Sequence, residues 1–204
     1  MEKSKVIEGN VSYLDKLFEN LDQNFKDQDD FPKLIPAAVL ILLYEKNSEI
    51  YVVLTKRSMD LKIHKGEFCF PGGTQEKTDH NLCAAAVREA KEEIGIDFVD
   101  MDILGRIPGY VATSNHYIVG FVGKVQDDYE YELNQKEVNS IIQIPIKSLV
   151  SSSSHRYEYI LDKSDKIKKM CCYGFRGNYI FGATALLLSN LLKIVRVTEG
   201  KDFE

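Results

Sequence analysis

At 204 residues and 44% hydrophobic composition, the chain is long enough for one domain with a substantial core and too apolar to be disordered. A formal net charge of −5 argues against general binding to nucleic acid or an anionic membrane, so a polyanionic substrate would need a local basic patch or a metal ion. The thiols Cys69, Cys83, Cys171 and Cys172 form no C-x-x-C pair and fit no zinc spacing, and no apolar run reaches the roughly 18 residues of a membrane span; the expectation is a cytoplasmic protein with reduced cysteines.

Val11, Leu14, Phe18, Leu21 and Phe25 recur at three and four, which predicts an amphipathic helix within residues 1–30, packed on the rest of the chain or on a second subunit. Residues 31–204 read as a single domain. Ala37 to Tyr44 is a continuous apolar run, the pattern of a strand covered on both faces, and Ile50 to Thr55 reads as its hairpin partner across Lys46-Asn47-Ser48. The next segment carries Lys56, Arg57, Lys62, His64 and Lys65, either a solvated loop or an anion-recognition loop. A short strand over Glu67 to Phe70 leads into Pro71-Gly72-Gly73, a turn whose glycines let backbone approach a ligand.

Leu82 to Ile94 is predicted to be a helix, with Asp79 or Asn81 as its cap and Gly95 as its stop. Cys83, Val87, Ala90 and Ile94 are spaced to share a core face, which puts Glu89, Glu92 and Glu93 on the opposite side. Like charges at these spacings cost about 0.2–0.5 kcal/mol per pair. A divalent cation would remove that cost, since Mg²⁺ favours a few carboxylates completed by water and phosphate oxygens. A plain solvated face is the other reading of such acids.

Gly73, Asp79, Arg88, Glu89, Ala90, Glu92, Glu93, Gly95 and Ile96 together resemble the Nudix box, G-x5-E-x7-R-E-U-x-E-E-x-G-U with U apolar. The chain departs from it in having Asp79 for the first Glu and one extra residue before Arg88. Upstream, Leu54 to Gly73 resembles LLTxRSxxxRxxxGxxxFPGG, the signature of the coenzyme A diphosphatase branch, through Thr55, Arg57, Ser58, Gly66 and Phe70 to Gly73. Lys62 stands where that branch has Arg, which keeps the charge without the planar two-pronged donor.

Further along, Phe98 to Arg106 and Tyr117 to Val125 are predicted strands. Ile107 to His116 is a predicted loop, similar to the P-x-x-T-x-S-G-Y stretch of the branch with Asn115 for Gly. Asn134 to Val138 resembles its Asn-x-x-Glu-Val, ahead of a strand over Ile141 to Ile144. Arg156 to Leu161 and Ile167 to Tyr173 predict a hairpin turning over Asp162 to Asp165, and a helix is expected to open at Ile180, with Phe181 where the branch has Trp.

The resemblance implies an α/β Nudix fold, a mixed β-sheet sandwiched between α-helices. It further implies hydrolysis of the diphosphate of coenzyme A or its thioesters with Mg²⁺ or Mn²⁺ as cofactor. ADP-ribose, dinucleotides or nucleoside triphosphates are the alternative substrates, and a silent binding module the third reading. By the same resemblance the metal ligands are Glu89, Glu92 and Glu93 with the Gly73 carbonyl. Arg88 orients a glutamate, and the base is a box glutamate, Glu89 or Glu93, or else Glu137. Arg57, Lys62, His64, Lys65, Gly72 and Gly73 meet the substrate. A homodimer is compatible with the family, with the N-terminal helix as one candidate interface.

Overall fold

The structure, a computed structural model, describes residues 14, 17, 19–22, 33–112, 114–151, 153–161 and 165–198. The long apolar run becomes β1 (Ile35–Lys46), the middle of a seven-stranded sheet. β1 turns back into β2 (Glu49–Arg57) through Asn47 and Ser48, both at positive φ, which matches the right-handed twist of a tight hairpin. β3 (Phe68–Cys69) and β7 (Val138–Pro145) pair with β2, and β4 (Gly72–Thr74) pairs with β1. On the other side β6 (His116–Lys124) runs parallel to β1, and β5 (Asp102–Val111) closes the edge.

Side chains on a strand alternate between faces, and on β1 this alternation separates two cores. Ala38, Leu40, Leu42 and Tyr44 pack with Leu82, Ala86, Ala90 and Ile94 of α1 (Leu82–Ile94). Ile41 and Leu43 pack with Leu188, Leu191, Leu192 and Val195 of α3 (Gly182–Thr198), and with α2 (Ile146–Val150) through Ile146 and Leu149. Helices therefore cover both faces of a mixed sheet, the expected α/β class. No helix among the described residues is long and apolar enough to cross a membrane.

Leu14, Leu17 and Leu21 are buried in the α3-side core of their own subunit. Val11, Phe18 and Phe25 lie outside the described residues.

Several expectations change. Phe98 does not start a strand. Phe98–Asp100 is a 3-10 turn, because Asp97 and Asp100 cap one another's backbone N–H groups. The loop expected over Ile107 to His116 is mostly β5. Pro108 is tolerated there because β5 is an edge strand and its register shifts between Ile107 and Tyr110. Ile180 and Phe181 end β10 (Asn178–Phe181), and the last helix starts only at Gly182. β10 joins β8 (His155–Leu161) and β9 (Ile167–Phe175) in a second, three-stranded sheet. The predicted hairpin is therefore present, but residues 162–164 of its turn lie outside the described residues.

Candidate active site

Asn81, and not Asp79, caps α1: its Oδ1 accepts from the Ala84 N–H at 2.8 Å. Gly95 ends the helix at φ 75, its N–H donating to the Lys91 carbonyl at 3.0 Å. The buried stripe of α1 runs through Leu82, Ala85, Ala86, Ala90, Glu93 and Ile94. Cys83 and Val87 are only half-buried and border a shallow cavity of about 780 Å³ with His80, Lys91 and Phe98. Compared with the expected wheel, the helix is rolled so that small alanines lie against the sheet. The roll carries Glu93 inward, so the three glutamates do not share an outer face.

Arg88 is the hub of the outer half. Its Nε donates to Asp79 Oδ1 and its Nη2 to Asp79 Oδ2, both at 3.1 Å, a two-pronged pair. Nη2 also donates to the Thr74 carbonyl at 3.1 Å, and Nη1 to Glu89 Oε1 at 3.0 Å. Glu92 is the outlying member, half exposed and 3.5 Å from Nη1. Burial pushes the Asp79 carboxyl up, but Arg88 and the Glu76 N–H outweigh it and hold the pKa below the ordinary value. Asp79, the departure from the box, thus fixes Arg88 between two acids and the backbone after the glycine turn.

The glycines serve the acids directly. A Cβ on Gly73 would lie 2.6 Å from the Glu89 carboxyl carbon, so any larger residue would push that carboxylate from its present place. A Cβ on Gly72 would lie 2.3 Å from the Ala38 carbonyl, and its φ of 151 also demands glycine. The Gly72 backbone N–H favours the ionised form of Glu93 and so offsets a small part of its burial.

Glu93 is 3% exposed, and its Oε2 is buried without a hydrogen-bond partner. Burial pushes its pKa up to about 8; Arg57 opposes the shift, while repulsion from Glu89 and Glu137 adds to it. Burial also raises Glu89, with Arg88 opposing and Glu92 and Glu137 reinforcing. Glu137 therefore does approach the box acids from the loop before β7. Its Oε1 accepts from Asn134 Nδ2 at 3.1 Å, and the Asn134 N–H donates to the Glu93 carbonyl at 3.0 Å.

Of the basic segment, Arg57 reaches this cluster. The β2–β7 register shifts between Lys56 and Arg57, an irregularity of the kind that re-aims a side chain. The Ser58 N–H donates to the Glu137 carbonyl at 2.8 Å. Lys62, His64 and Lys65 are exposed on the following loop, and His64 Nδ1 pairs with Glu67 at 3.0 Å. The sequence reading missed Cys69. Its thiol lies 3.2 Å from Thr55 Oγ1, close enough to feel Glu93 and Arg57, and burial pushes its pKa up. Its place directly before the Phe70-Pro71-Gly72-Gly73 turn was the available signal.

A cluster of this kind is short of positive charge. It holds a buried carboxylate oxygen without a partner and three mutually repelling acids, Glu89, Glu93 and Glu137. Among the described residues no three acid, His or Cys side chains converge closely enough to enclose a metal by themselves. That donor set suits a hard cation which keeps waters and takes phosphate oxygens.

The NUDIX domain family matches residues 34–160, more than half of the chain. A Photorhabdus laumondii protein named "uncharacterized Nudix hydrolase NudL" is 29% identical over 161 residues, which cover 79% of this chain and 85% of that one. A Shigella flexneri protein of the same name is 27% identical over 162 residues, 79% and 83% of the respective chains. Among solved structures, DR0079 from Deinococcus radiodurans superposes with a TM-score of 0.50 over 87% of this chain and 98% of that one, at 13% identity, a likeness of fold. The family match takes in the central sheet, α1 and every acid gathered around it, and this chain belongs to the Nudix family, as a hydrolase acting on diphosphates.

Proposed function

We propose that the chain uses Mg²⁺ or Mn²⁺ to hydrolyse the diphosphate bond of coenzyme A or its thioesters, yielding adenosine 3′,5′-bisphosphate and 4′-phosphopantetheine or its acyl form. One observation carries this reading: the upstream signature meets the box in space. Arg57 and Ser58 belong to the segment that resembles the coenzyme A branch; the Arg57 charge acts on Glu93, and the Ser58 N–H donates to the Glu137 carbonyl. Asn115, which replaces the branch's glycine, keeps the glycine conformation at φ 64 while its Nδ2 donates to the Lys33 carbonyl at 2.8 Å. Asn115 thus adopts a left-handed conformation that a glycine there could also take.

In this reading Glu89 and Glu93 hold the cation, with Glu92 at its outer side and the Gly73 carbonyl as a further donor. A bound divalent cation supplies charge neutralisation at the diphosphate oxygens and a more acidic water. Arg88, held by Asp79, fixes the Glu89 carboxylate. Glu137, anchored by Asn134 through one oxygen, keeps the other to take the proton of the attacking water. Arg57 meets the diphosphate, and Lys62, His64 and Lys65 offer cationic groups to its flanking phosphates.

The test is catalytic efficiency measured side by side on coenzyme A, an acyl-coenzyme A, ADP-ribose, a dinucleotide and a nucleoside triphosphate. Coenzyme A or its thioester is expected to lead. A decisive preference for ADP-ribose would overturn the substrate while leaving the chemistry.

A further inference from the structure

The N-terminal leucines Leu14, Leu17 and Leu21 are committed to the core of their own subunit. The second sheet offers a surface through which two copies can meet. Its strand order is β10-β9-β8, so β8 is paired on one side only, and among the described residues no strand occupies its other edge. Tyr157, Tyr159 and Leu161 point to one face of β8 and are 51%, 67% and 68% exposed. Ile167, opposite Leu161 on β9, is 72% exposed. An open edge is a template for strand addition, and soluble monomers usually block it with charged side chains, lysine above all, with proline or with a bulge. β8 itself has no lysine, proline or bulge: its register with β9 is unbroken, its two charged residues, Arg156 and Glu158, are of opposite sign, and the nearest lysine, Lys169 of β9, lies over the Tyr157 ring at 3.7 Å.

Those two charges make the edge self-complementary. A second copy laid antiparallel, with Tyr157 opposite its own counterpart, brings Arg156 opposite the second copy's Glu158. By the two-fold symmetry Glu158 meets the second copy's Arg156. His155 then faces Tyr159 on the aromatic side. Within one chain Arg156 Nε already lies 2.7 Å from Glu158 Oε1, with both side chains about half exposed, so the four charges would alternate across the junction. Arg156 is also placed over the Tyr179 ring at 4.7 Å, which fixes its direction. An interface in which one patch meets its own copy is the commonest way in which identical chains pair. We infer that two copies of this chain associate edge to edge through β8, merging their second sheets into one. This inference is independent of the substrate assignment.

The experiment is sedimentation velocity on the full chain over a dilution series, with hydrolase activity as the check on folding. The wild type is expected to dissociate reversibly from dimer to monomer. Glu158→Arg or Arg156→Glu places like charges opposite one another and should weaken association about tenfold or more. The double reversal, Arg156→Glu with Glu158→Arg, recreates the complementarity and should restore association while the single variants remain weak. Three results would overturn the inference: a wild type that is monomeric at every concentration, a dimer indifferent to the single reversals, or a double reversal that fails to recover. A monomer whose β8 edge captures some other extended segment would fall under the first of these.

Discussion

Glu93→Gln isolates the most unusual group in the protein. The Glu93 carboxyl, 3% exposed, has its pKa pushed up to about 8 from an ordinary 4.5. A carboxyl whose folded pKa is raised adds stability that is complete below about 4.5, is lost as pH rises, and is gone above about 8. A tenfold change in proton affinity is worth about 1.4 kcal/mol, so full ionisation of this carboxyl in the folded protein costs about 3–5 kcal/mol. Glutamine keeps the shape and cannot ionise, although it leaves a buried amide to satisfy, at about 1–3 kcal/mol. Urea denaturation of both proteins with a chelator present, from pH 5 to pH 9, should show the variant equal or weaker at pH 5. The variant-minus-wild-type difference should then climb by about 3–5 kcal/mol by pH 9. A difference that stays flat with pH would refute the buried, uncompensated carboxylate.

Because that proton must leave before a cation takes its place, Mn²⁺ affinity should rise with pH by up to about tenfold per pH unit between pH 5 and 8 and then level off. Calorimetry in buffers of differing ionisation enthalpy should find a released proton. Gly73→Ala would set a methyl group 2.6 Å from the Glu89 carboxyl carbon, so turnover should fall at least about tenfold with the circular dichroism spectrum intact. Leu17→Ala, at a site with 0% exposure, should cost about 2–5 kcal/mol in urea denaturation; a loss near zero would mean that the N-terminal leucines do not belong to this core.

The sequence was most legible where one physical rule acts alone. The unbroken apolar run of β1, bounded by turn residues and followed by a second such run, read as a strand covered on both faces, and Gly95 read as the left-handed residue that stops its helix. The roll of α1 was not legible, because hydrophobicity alone ranks Cys83 and Val87 above alanine. Close approach to the sheet favours the small residues Ala85, Ala86 and Ala90, and so brings Glu93 inside. Pro108 suggested a loop, and only the strand order shows it on an edge where a missing N–H is harmless. The acids of the site were readable from their spacing. Their electrostatics were not, because the pressure on Glu93 comes first from its burial, which follows from the roll of α1, and then from Glu89 and from Glu137, which arrives from a loop far along the chain, while Arg57 and the Gly72 N–H relieve it.

Chromatography of the products from purified protein with coenzyme A tests the central claim most directly, run with Mg²⁺ or Mn²⁺, without metal, and with Glu93→Gln. Adenosine 3′,5′-bisphosphate should appear only with metal and an intact Glu93. Intact coenzyme A under all of these conditions, from a protein that cleaves ADP-ribose in the same buffer, would contradict it.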